Sequence, residues 1–213
     1  MHHLPCRAVL FDLDGVLVDS VASIELAVFE WTQLVGADFD LIKKSSQSLT
    51  DEDLIRMIGA DLDIAREKQR IKELEIKYAR AVTAQPGAQQ VLAQVQQALM
   101  PWAIVTSGQK DVVLARLAAA RLPIPEVMIT ADDYGNGKPN PELYLLAAKL
   151  LGVPPSDCVA IEDTYNGANA AWEAGATVIG LTTTCTRREL IDVTTTVVPD
   201  LSAIRVDGVG VLF

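Results

Sequence analysis

Apolar and polar positions along this chain keep two different rhythms. The first apolar run, Ala8-Val9-Leu10-Phe11, is short and unbroken, as in a strand buried on both faces. Past Ser20 the spacing lengthens. Val21, Ile24, Val28, Trp31 and Val35 recur at three and four, and Gly36 ends the run, which predicts a helix. A polar stretch, DFDLIKKSSQSLTDED, follows. Thr50 and Asp53 are spaced as a capping pair for a helix ending at Gly59. Ile64, Ile71, Leu74, Tyr78 and Val82 predict another helix over 61–83.

From Gln85-Pro86-Gly87 onward helical windows alternate with short apolar runs. Helical spacing over 88–99 precedes WAIVTSG, and 111–120 precedes EVMIT. The windows 141–151, 168–174 and 187–193 precede DCVAIED, TVIGLT and TTVV. Strands alternating with helices imply βαβ units around a parallel sheet, which the run at 8–11 joins. The expected fold class is α/β. A Rossmann-like parallel sheet core, 1–17 with 85–213, carries an inserted all-helical domain at 18–84.

Half of the 213 residues are hydrophobic and mean hydropathy is +0.24, so the chain can bury a substantial core. Only 5% are aromatic, so that core is aliphatic. The net charge of −10 argues against nucleic acid or an anionic membrane as partner. An anionic substrate would need a positive site built locally. Cys6, Cys158 and Cys185 are odd in number and form no CxxC, so a reduced, cytoplasmic setting is expected. No apolar run reaches membrane-span length, and MHHLPCRAVLF lacks a signal-peptide profile. The only histidines, His2 and His3, are expected to lie on a frayed terminus. The folded body then has no histidine base, and carboxylates must carry any acid/base chemistry.

The stretch FDLDGVLVDS raises the central question, because two carboxylates sit two positions apart before a glycine. Asp-Gly between apolar residues is a hairpin signal, since glycine tolerates the positive φ of a type I′ turn. The alternative is chemical. Side chains at i and i+2 share a face, and two crowded carboxylates call for a cation between them or a shared proton. In parallel sheets ligands bind at the carboxyl ends of strands, near the switch in strand order. Asp12 and Asp14, Thr106-Ser107-Gly108, Glu162-Asp163-Thr164 and the loop lysine Lys138 all follow apolar runs, so they could converge on one edge.

FDLDGVLVDS, AIVTSG, GKPNPE and IEDTYNG resemble, in order and spacing, the four motifs of the haloacid dehalogenase superfamily. PWAIVTSG and GKPNPELYLLAAKLLG are further similar to bacterial sugar-phosphate and sugar-alcohol phosphatases with a small helical cap. The resemblance implies that Asp12 is the nucleophile, forming an aspartyl-phosphate, and that Asp14 is the general acid/base. The presence of Asp14 points to phosphoryl transfer rather than dehalogenation. Magnesium would be held by Asp12, Asp163, the backbone carbonyl of Asp14 and waters. Glu162 would reach the metal through water, or else serve as a charge at a helix N-terminus. The hydroxyl of Thr106 and N–H groups near Ser107 would hold the phosphate, with Lys138 neutralising its charge. Thr106 and Ser107 are also placed to cap the next helix.

The cap, 18–84, would close over the site and read the leaving group, with Ser20, Lys43, Lys44 and Gln47 as candidates. Lys43 and Lys44 read equally well as surface charges. The family usually has a glycine in this cap loop, and none stands between Gly36 and Gly59.

Three functions follow from this reading. The first is a magnesium-dependent phosphatase of a small phosphorylated sugar or polyol. The second is a sugar phosphomutase of the β-phosphoglucomutase type. The third is a non-catalytic binding protein, which would be expected to lack Asp12, Asp14, Lys138 or Asp163; all four are present. The mutases that this chain resembles carry a histidine four residues after the position of Ser20, where this chain has Ile24. A monomeric phosphatase is the expectation.

Overall fold

The computed structural model describes residues 2–43, 50–59 and 61–213. Its centre is a parallel six-stranded sheet. The order is β6 (Val127–Ile129), β5 (Trp102–Val105), β2 (Ala8–Phe11), β7 (Cys158–Glu162), β8 (Thr177–Leu181), β9 (Thr196–Val198). Side chains along β2 alternate between two apolar layers. Val9 and Phe11 pack toward α5 (Ala88–Gln97) and α6 (Lys110–Ala120), while Ala8 and Leu10 pack toward α7 (Glu142–Leu151) and α8 (Tyr165–Glu173). Both faces are dry, which is why the run at 8–11 has no polar position.

The chain leaves β2 for β5 and β6 on one side, then returns to β7 on the other. The crevice at the carboxyl end of β2 is thus the switch point of the sheet.

Between β3 (Val18–Asp19) and β4 (Thr83–Ala84) lies a helical module of α1 (Val21–Val35), α2 (Phe39–Lys43), α3 (Asp51–Ile58) and α4 (Ile64–Tyr78). It has its own core around Trp31, with Val28, Ile55, Ile71 and Leu74. The Trp31 Nε1–H donates to Glu67 Oε2 at 3.0 Å, and Arg70 pairs with Glu67 at 2.9 Å, so the buried carboxylate is satisfied. β3 and β4 pair antiparallel, Val18 opposite Ala84, so the module joins the sheet layer by a two-stranded neck.

Several boundaries differ from the sequence reading. α4 starts at Ile64, capped by Asp63, and gives way after Tyr78 to a 3-10 turn (Ala79–Ala81), because Thr83 and Ala84 must pair with β3. α8 begins at Tyr165, since the Thr164 side chain accepts from Gly167 N. α9 (Arg187–Leu190) tightens into a 3-10 turn (Ile191–Val193). The amino terminus is anchored rather than frayed. β1 (His3–Pro5) and β10 (Arg205–Val206) both flank β11 (Gly210–Leu212), and His2 stacks on Phe213 at 5.7 Å. Cys6, Cys158 and Cys185 are free thiols. No helix among the described residues is long and apolar enough to cross a membrane.

Candidate active site

Asp12 directly follows β2 and stays in the sheet's grip, its N–H donating to Ile161 O at 3.1 Å. The strand then breaks. Gly15 turns at φ +78°, and its N–H closes onto Val18 O at 2.8 Å. This overturns the hairpin reading, because β2 pairs in parallel with β5 and β7 rather than folding back on β3. Gly15 has a second reason to lack a side chain. A Cβ there would run into the Asp163 carboxylate and the Thr184 hydroxyl.

Asp163 follows β7, as Asp12 follows β2, so adjacent parallel strands deliver both carboxylates to one edge. Asp12, Glu162 and Asp163 each bring a carboxylate oxygen to within 4.8 Å of the others, all three buried. Lys138 enters from the loop after β6, across the cis Lys138–Pro139 bond. Its Nζ lies 2.8 Å from Asp12 Oδ1 and 2.5 Å from Glu162 Oε1. The Tyr144 hydroxyl on α7 donates to the same Glu162 oxygen at 2.5 Å. Glu162 Oε2 accepts from Asp163 N at 3.2 Å, beneath α8, where Gly167 leaves room for it.

These contacts separate the carboxylates chemically. Glu162 is spent on Lys138, Tyr144 and a backbone N–H. Asp163 Oδ1, by contrast, is buried with no hydrogen-bond partner among the described residues. An unmatched buried carboxylate oxygen costs more than the roughly 1–3 kcal/mol of a neutral orphan. A hard cation between Asp12 and Asp163 would remove that cost, and an all-oxygen donor set suits magnesium.

Burial pushes Asp12 up to about 7, with Glu162 adding and Lys138 opposing. Burial, then Asp12 and Glu162, raises Asp163 well above the usual carboxylate range. Burial would lower Lys138, but the Asp12 and Glu162 carboxylates outweigh it and keep the ammonium charged.

Thr106, at the end of β5, is buried, and its hydroxyl accepts from Gly108 N at 3.1 Å. Ser107 is exposed and shares a hydrogen bond with Tyr134. Neither caps α6, whose N-cap is Gln109, without a side-chain bond. Asp14 Oδ2 accepts from Arg116 Nη1 at 2.6 Å.

Of the candidates proposed for the cap, Ser20 and Lys43 lie among the described residues. Ser20 is buried as the N-cap of α1. Lys43 pairs with Glu25 at 3.1 Å and lies over the Phe39 ring, contacts internal to the module. Lys44 and Gln47 fall outside the described residues.

The family model for haloacid dehalogenase-like hydrolases matches residues 6–175, which span every site residue named above except Thr184. The chain belongs to that family. Hexitol phosphatase A of Escherichia coli K12 is 39% identical over 179 residues, 83% of each chain. The crystal structure of CbbY from Rhodobacter sphaeroides in complex with phosphate superposes with a TM-score of 0.83 at 25% identity, covering 92% of this chain and 95% of that one. A β-phosphoglucomutase from Clostridium difficile shares the fold at 21% identity, with a TM-score of 0.78 and 92% of each chain covered. This kinship makes the chain an enzyme, a phosphoric monoester hydrolase.

Sequence reasoning missed several participants. Tyr144 sits inside an apolar helix, where a buried tyrosine must find a partner for its hydroxyl. Thr183 and Thr184 follow β8; Thr183 Oγ1 donates to Gly15 O at 2.6 Å, and the Thr184 hydroxyl bonds Asp163. Their signal was visible, since TTT follows an apolar run at the same sheet edge.

Proposed function

We propose that this chain is a magnesium-dependent phosphatase of a small phosphorylated sugar or polyol, acting through an aspartyl-phosphate on Asp12. One observation carries the reading: Asp12, charge-paired with Lys138, faces the unpartnered oxygen-bearing Asp163 at the switch point of the sheet.

Asp12 and Asp163 would hold the metal, with the Asp14 carbonyl. When bound, the metal withdraws charge from the phosphoryl oxygens and aligns them with the nucleophile. Lys138 pairs with Oδ1 of the Asp12 carboxylate and, together with the metal, would favour its ionised form beside two other acids. The Thr106 hydroxyl and the N–H groups that follow it bind the remaining phosphoryl oxygens. Asp12 attacks phosphorus as Asp14 gives its proton to the departing alcohol oxygen. Asp14 then takes a proton from water as that water displaces Asp12.

The 18–84 module acts as the cap, and its two-stranded neck is the place where it would pivot. Its polar seam on α6 supports this role. Lys72 meets Asp111 at 2.6 Å, and Gln109 donates to Asp51 at 3.3 Å. Such contacts can part without exposing an apolar core.

Ile24 packs against the core of the cap and offers no proton-handling group, so water rather than a second sugar oxygen takes the phosphoryl group. The hexitol phosphatase relative supports a polyol or sugar phosphate as substrate. The expected protein is a cytoplasmic monomer with no nucleic-acid or membrane partner.

Phosphate release across a panel of hexitol, hexose, pentose and glycerol phosphates tests the reading. Magnesium-dependent release from at least one is expected. Isomerised sugar phosphate forming faster than inorganic phosphate would favour the mutase instead.

A further inference from the structure

Arg116 belongs to α6 of the sheet core, yet its side chain is 3% exposed and reaches two carboxylates from different parts of the fold. Nη1 donates to Asp14 Oδ2 at 2.6 Å, and Nη2 donates to Glu75 Oε1 at 2.8 Å, on α4 of the cap. Burying a guanidinium is expensive unless carboxylates meet it, and its rigid fork fixes both partners in direction as well as distance. The bridge is not closed on itself. Asp14 Oδ1 is buried without a hydrogen-bond partner among the described residues, as is Arg116 Nε. One carboxylate oxygen is gripped and the other is left free.

We propose that Arg116 is a positioning residue for the general acid/base: pinned by Glu75 of the cap, it grips Asp14 Oδ2 and thereby aims Oδ1 at the reacting oxygens. The proposal rests on the phosphatase reading above. Oδ2 accepts from Arg116 whether or not Oδ1 carries the proton, so the grip persists through both half-reactions. In the first, the Asp12–phosphorus bond forms, the bond to the alcohol oxygen breaks, and the Oδ1 proton goes to that oxygen. In the second, the bond from water to phosphorus forms, the Asp12–phosphorus bond breaks, and a water proton returns to Oδ1. Because Glu75 comes from the cap, a displaced cap holds the guanidinium from one side only. Asp14 is then aimed once the leaving group is enclosed.

p-Nitrophenyl phosphate separates the two steps. Its phenolate departs with little need of a proton, whereas hydrolysis of the aspartyl-phosphate still needs Asp14 as base. Arg116→Lys keeps the charge but replaces a fork with a point donor. Glu75→Gln removes the anchoring charge while keeping the shape, and keeps the test open if Arg116→Lys does not fold. Both variants are expected to release one equivalent of nitrophenolate rapidly, then turn over more slowly by on the order of 10²-fold, the scale of a general acid/base. In an Asp14→Asn background, Arg116→Lys should add no further loss, since it acts through Asp14. Wild-type turnover by both single variants would overturn the proposal. So would loss of the burst together with turnover, or a full additional loss in the Asp14→Asn background. If Asp14→Asn itself turns over normally, the acid/base reading fails and takes the proposal with it. A stalled Asp14→Asn beside unaffected Arg116 and Glu75 variants would fail the proposal alone.

Discussion

Lys138 Nζ lies 2.8 Å from Asp12 Oδ1 although 126 residues separate them in sequence. This ammonium is what makes a cluster of buried acids tolerable, because a buried charge without a partner is strongly destabilising. Lys138→Ala is therefore expected to lower turnover by on the order of 10²–10³-fold, as loss of one preorganised charge partner does. It should also lower the unfolding temperature in chelator, and magnesium should restore part of that loss. Differential scanning fluorimetry with and without magnesium checks the second point.

Gly15 tests the packing behind the metal site. An alanine there would collide with the Asp163 carboxylate and force an L residue into φ +78°. Gly15→Ala is expected to fold but to lose most of the stabilisation that magnesium gives the wild type. For wild type at magnesium near a hundred times its Kd, that stabilisation is about 2.7 kcal/mol, or roughly 5–10 °C for a chain of this length. An unchanged magnesium shift in Gly15→Ala would contradict the close approach.

The raised acids set a pH dependence. Burial holds protons on Asp12, up to about 7, and on Asp163 well above the carboxylate range, while the unfolded chain releases both near pH 4. Between those values the folded state binds more protons than the unfolded one, so stability falls as pH rises. Metal-free protein should melt at a higher temperature near pH 5.5 than near pH 8, unlike a protein stabilised by salt-bridged carboxylates. Magnesium competes with those protons, so its stabilisation should grow with pH. Asp163→Asn should raise the metal-free melting temperature near pH 8 and abolish the magnesium shift; a lowered one would count against carboxylate crowding.

The parallel sheet and the carboxylates were legible because each has a local signature. An unbroken apolar run marks a strand dry on both faces, and polar residues just past such runs mark the binding edge. Val21 to Gly36 was legible for a similar reason, with Gly36 ending α1 at φ +72°. The β1–β11–β10 sheet was not, since strands of two or three residues have no period to read. Arg116 was also hidden. An arginine on a helix looks like a surface charge until Asp14 and Glu75, distant in sequence, are seen to close around it.

The stereochemical course of hydrolysis tests the covalent role of Asp12 most directly. The substrate is a hexitol thiophosphate that the enzyme turns over, its thiophosphoryl group made chiral with two heavy oxygen isotopes, and the configuration of the inorganic thiophosphate released into ordinary water is read out. Two in-line displacements, first by Asp12 and then by water, give net retention, which is the expected result. Net inversion would mean that water attacks phosphorus directly, and would contradict an aspartyl-phosphate on Asp12.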